Sequence, residues 1–110
     1  MVEYSKLPAH QQRAIDNEIN LIIQAKQLSK TFGRQYSDQS LCKREAEDLR
    51  KSFSNNPEKI KDLVEKDSNE IFLYPLLKDR IQHRKEVIKE KAEIYDRTYL
   101  PMRDMRSKGR

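Results

Sequence analysis

Tryptophan is absent from this chain, glycine occurs twice and cysteine once. The two glycines, Gly33 and Gly109, cannot build a glycine-rich phosphate loop, which excludes the P-loop and dinucleotide fingerprints. Cys42 has no intrachain disulfide partner, so a reducing compartment such as the cytoplasm is expected. One cysteine and two histidines far apart, His10 and His83, give no zinc-ligand spacing, and the acidic residues do not follow a calcium-loop pattern. No cofactor or metal is therefore expected. No apolar run approaches the roughly 18–20 residues of a membrane span, and residues 1–6 lead into no signal-peptide core.

What is present is charge. Charged residues make up 37% of the chain against about 25% in an ordinary domain, and apolar residues 35% against about 45–50%. At 110 residues the chain has room for one modest core. This composition suits solvated helices with narrow apolar stripes. It also leaves open a homodimer or folding assisted by a partner, because little apolar area opposes chain entropy. The net charge of +5 is unevenly placed. Residues 97–110 hold five basic side chains and one acid, leaving 18 basic and 17 acidic residues in a nearly neutral body.

Apolar periodicity predicts an all-α fold, a three- or four-helix bundle with a long C-terminal helix and a short basic tail. Ile15, Ile19, Ile22, Ile23 and Phe32 recur at helical spacing over about 8–32, with Pro8 at the start and Gly33 as a left-handed terminator. Ser37 or Asp38 can cap a second helix, on which Cys42, Ala46, Leu49 and Phe53 share a face. Asn56-Pro57 opens a third helix, expected over about 57–66. Asp67 and Glu70 have capping-box spacing for a new start. The most apolar run, Ile71 to Leu77, is expected to be a helical entry kinked or restarted at Pro75. From there Leu77, Ile81, Ile88, Ala92 and Tyr95 line the core face of the last helix, which ends near Leu100 because Pro101 stops it. On this pattern Leu49→Ala or Leu77→Ala should cost about 2–5 kcal/mol. The division is a helical domain over 1–100 and a flexible basic tail over 101–110.

Groups able to do chemistry are scarce. His10 falls in the first turn of the first helix and His83 on the polar side of the last, where both are expected to be exposed. Cys42 sits on an apolar stripe, where a thiol is commonly buried and inert. Tyr74, Tyr95 and Tyr99 could stack on nucleic-acid bases, but a stacking platform needs a basic groove and the body is neutral. The expectation is that the chain is not an enzyme. The strongest binding candidates are Arg97, Arg103, Arg106, Lys108 and Arg110, an electrostatic handle for an acidic protein surface or for phosphate.

Gln27-Leu28 followed by Thr31 and Gly33, then Asn56-Pro57, then Tyr74-Pro75-Leu76 before a long helix with a basic end, resembles the order of landmarks in BID domains. The resemblance spans roughly residues 20 to 100. It implies a helical bundle whose body and basic C-terminal tail form a signal read by type IV secretion or conjugative-transfer machinery, with no catalysis and with translocation out of the cytoplasm. The stretch from Gly33 to Asn56 is longer than in that pattern, and a small-residue segment before the last helix is missing. The expected function is a non-catalytic module that binds a protein partner through charged helix faces and its basic tail. The alternative is a small nucleic-acid-binding accessory protein of a plasmid or phage, against which stands the interleaving of Lys78, Arg80, Arg84, Lys85, Lys89 and Lys91 with Asp79, Glu86, Glu90 and Glu93.

Overall fold

A computed structural model describes residues 3–108, with side chains over residues 3–101. Among these residues four helices form an all-α bundle: α1 (Ala9–Leu28), α2 (Gln39–Ser54), α3 (Pro57–Leu73) and α4 (Leu77–Lys108). Short 3-10 turns at Tyr4–Lys6 and Gln35–Ser37 precede α1 and α2. The chain measures 51 × 36 × 25 Å, and its radius of gyration of 15.9 Å exceeds the about 13 Å of a compact domain this size.

The bundle is organised around α1, which packs against each of the other three helices. Ala14, Ile15, Glu18, Ile19, Leu21 and Ala25 are buried along it. Ala14, Ile15 and Ile19 meet Ile60 and Leu63 of α3 in the central cluster, and Ala46, Leu49 and Phe53 of α2 pack against it half-buried. The face expected for α2 is thus the face it uses.

Two expected caps form. The Asp38 carboxylate accepts the Ser40 amide at 2.9 Å, and the Asn56 side chain accepts that of Lys59 at 3.2 Å before Pro57. Other boundaries differ from expectation. α1 stops at Ser29, not Gly33, because the Ser29 hydroxyl accepts the Phe32 amide at 2.9 Å and its backbone turns extended at ψ 149°. Gly33 has no positive φ, so it is not a left-handed terminator. A Cβ there would lie 2.5 Å from the Ser29 carbonyl oxygen, so close backbone approach is what requires glycine.

α3 does not end near residue 66. Asp67 is held at 2.8 Å by the Asn17 side chain of α1 and Glu70 by Arg84 of α4, so tertiary partners use the groups that would have capped a new helix. Likewise α4 passes through Pro101 to Lys108 instead of ending near Leu100. The proline removes one amide from the ladder and the turns on either side continue it. The flexibility expected of the basic tail bears on Arg103, Arg106 and Lys108, whose side chains lie outside the described residues, and on Arg110, which lies outside them entirely.

Glu18 is the one acid of the buried α1 face, at 8% exposure. Lys66 of α3 reaches it at 3.0 Å and Lys91 of α4 at 3.9 Å, which compensates the desolvated carboxylate and ties three helices together.

Candidate functional site

The largest apolar side chains on the surface gather where α3 turns into α4. Phe72 is 82% exposed, Leu73 and Leu77 65% each, Leu76 56%, Ile71 48% and Ile81 46%. Their places follow from how the corner is built. α3 ends at Tyr74, whose amide bonds to the Glu70 carbonyl at 2.8 Å. Pro75 has no amide to continue the ladder. The Leu76 carbonyl then accepts the amides of Asp79 and Arg80, both at 3.1 Å, and starts α4.

Polar contacts brace this corner from its inner side. The Tyr74 ring stacks on His83 with centroids 4.4 Å apart and planes 19° apart. Arg84 grips Glu70 at 2.7 Å, and Arg80 Nη2 donates to the Pro75 carbonyl at 3.2 Å. Tyr74, His83, Glu70 and Arg84 are engaged with one another on the inner side, Arg80 bonds at the surface while its Nε is buried without a partner, and the apolar run is left outward. Leu77 and Ile81 therefore do not belong to the core face of α4 as their spacing suggested. That face is carried farther along by Ala92, 4% exposed, with Ile88 and Tyr95 half-buried.

At the other end of α1 a second cluster forms around Phe32. Its ring meets Tyr36, Tyr95 and Tyr99 edge-on at 6.1, 5.7 and 5.4 Å. The Lys26 ammonium lies 5.6 Å from the Phe32 ring centre and 5.0 Å from that of Tyr36, and bonds to Glu45 at 2.6 Å. Asp96 of α4 accepts the amides of Lys30 and Thr31 at 3.1 and 2.9 Å and the Thr31 hydroxyl at 3.0 Å. Desolvation raises the Asp96 pKa, but these hydrogen bonds outweigh it and leave the carboxyl below its usual value. Tyr95 and Tyr99 thus spend ring surface on Phe32.

The remaining candidates are dispersed. His10 is exposed on the first turn of α1. His83 is half-buried against Tyr74 rather than free on the polar side. Cys42 is buried and donates to the Tyr36 carbonyl at 3.1 Å. Arg97 is exposed on α4. The hollow between α1, α3 and α4 holds 20 Å³, about one water, and it and the larger hollows of 230 to 380 Å³ are all partly open to solvent. Among the described residues no cluster of three or more His, Cys, Asp or Glu could hold a metal ion, and no helix is long and apolar enough to cross a membrane.

Periodicity missed the corner because it marks an apolar stripe without saying what covers it. The available clue was the density of the run, seven residues without a charge in a chain that is 37% charged. No family model, curated protein or solved structure matches this chain.

Proposed function

We propose that this chain is a non-catalytic helical interaction module that works by binding protein. The observation that carries this is the exposed apolar corner from Ile71 to Ile81, on a chain with little apolar residue to spare. An exposed cluster of large apolar side chains with a polar rim is a usual mark of a docking face. Arg97, Arg103, Arg106, Lys108 and Arg110 add an electrostatic element that guides an acidic protein partner to the far end of α4. Recognition by transfer or secretion machinery is the specific form suggested by the resemblance to BID domains.

The test is capture by the intact chain, by a Phe72→Asp/Leu77→Asp variant and by an Arg103→Gln/Arg106→Gln/Arg110→Gln variant, each with and without nuclease. A captured protein that rebinds in purified form, and loses binding to either variant, supports the module. Retention that disappears with nuclease, or no purified protein that rebinds, would contradict it and favour nucleic acid.

A further inference from the structure

The exposed corner is large for a monomer. Taking a large apolar residue as on the order of 200 Å², Ile71, Phe72, Leu73, Leu76 and Leu77 together expose about 600 Å², and Ile81 adds an edge beside α1. The largest apolar patch of an ordinary monomer is about 300–600 Å², and each side of a standard stable interface buries about 800 Å².

Charge around the corner narrows the partner. Residues 65–86 hold five basic side chains (Lys66, Lys78, Arg80, Arg84, Lys85) and five acidic ones (Glu65, Asp67, Glu70, Asp79, Glu86). Lys66, Arg84, Glu70 and Asp67 are already engaged within the chain, which leaves three residues of each sign, and Lys78 and Asp79 stand exposed side by side at the apolar rim. A nucleic acid or an anionic lipid surface would select a net positive rim. A rim with equal numbers of both signs complements itself, because a two-fold axis sets each patch against its own copy and lets a lysine of one meet an acid of the other.

We propose that the α3–α4 corner is a homodimer interface, with Phe72 as its central anchor and Leu73, Leu76 and Leu77 around it. This rests on taking the corner as the docking surface of the module and names its occupant as a second copy of the chain. Polar bracing by Tyr74, His83, Glu70 and Arg84 presents the face already formed, so pairing requires little ordering. The basic ends of two α4 helices then belong to one particle, which strengthens capture of a multivalent acidic partner without new contacts.

Sedimentation equilibrium of the full chain, from low micromolar to several hundred micromolar, tests this together with the Phe72→Asp variant. The expected result is a reversible dimer whose dissociation constant rises tenfold or more in the variant, as loss of an interface anchor does, with an unchanged helical spectrum. A monomer at every concentration overturns the proposal, as does a dimer indifferent to Phe72→Asp. Should that variant fail to fold, oxidative cross-linking replaces it, with Leu76→Cys at the corner and Glu47→Cys on α2. Rapid cross-linking of the former alone supports the dimer, and equal or absent cross-linking overturns it. Flotation with vesicles of mixed neutral and anionic lipid is the third arm, and corner-dependent flotation of a monomer overturns it in favour of a membrane surface. If the chain is a monomer and a purified partner still loses binding to Phe72→Asp, the dimer fails and the interaction module stands. If neither occurs, both fail.

Discussion

Ile15 and Ile19 on α1 and Phe72 and Leu73 at the end of α3 are comparably apolar, yet the first pair is 0% and 2% exposed and the second 82% and 65%. Hydrophobicity therefore did not decide their fates. Position along the bundle did: the middle of α1 is enclosed by α2, α3 and α4, whereas α3 reaches its last turn with no third helix to cover it. The bonds that fix the corner run inward through Tyr74, Glu70 and Arg84, so turning the apolar run toward the core would break them. The two regions differ in use as a result. One holds the fold, and the other is proposed to hold a partner.

Substitutions should separate them by size of effect. Ile15→Ala or Leu63→Ala should cost about 2–5 kcal/mol by urea denaturation, because each leaves a cavity in the central cluster. Against a total margin of roughly 5 kcal/mol for so small a core, either can unfold the chain. Gly33→Ala comes next at about 1–3 kcal/mol, since a new Cβ meets backbone oxygens of Ser29 and Gln27 that cannot swing aside.

Asp96→Ala should cost less, about 0.5–1 kcal/mol, because the hydrogen bonds it removes are near solvent. Its effect depends on pH in a definite direction. The folded pKa lies below the ordinary 3.8, so the contribution is complete above that value and is lost as pH falls through the lower folded one. Stability of the Asp96→Ala variant should therefore decline less than that of the parent below about pH 4, measured by melting across pH 2.5–6. Smallest of all is Leu77→Ala, expected within about 0.5 kcal/mol for the dilute chain by the same denaturation assay. The spacing of its neighbours alone would put it beside Ile15 in the ranking.

That reversal shows what the sequence could and could not express. Asp38 and Asn56-Pro57 were legible because a cap depends on a side chain and an amide two or three residues away. The face of α2 was legible because Cys42, Ala46, Leu49 and Phe53 fall on a single stripe at three- and four-residue spacing, and that stripe is the one covered. The persistence of α3 past Asp67 was hidden, since it depends on Asn17, 50 residues distant. Glu18 gave a partial clue: it lies three and four residues from Ile15 and Ala14, on the buried stripe, but its compensation by Lys66 and Lys91 is visible only once three helices meet. The exposure of Phe72 and Leu77 depends on the absence of a neighbour in space, which no local pattern encodes.

The contrast between the two apolar regions is tested most directly by relaxation of leucine and isoleucine methyl protons by a soluble nitroxide, recorded at low and at high protein concentration. Methyls of Leu73, Leu76 and Leu77 should be strongly relaxed in the dilute chain and progressively shielded as it pairs, while Ile15 and Ile19 stay shielded throughout. Shielding of Leu77 in the dilute chain, or relaxation of the corner that does not change with concentration, would contradict the account.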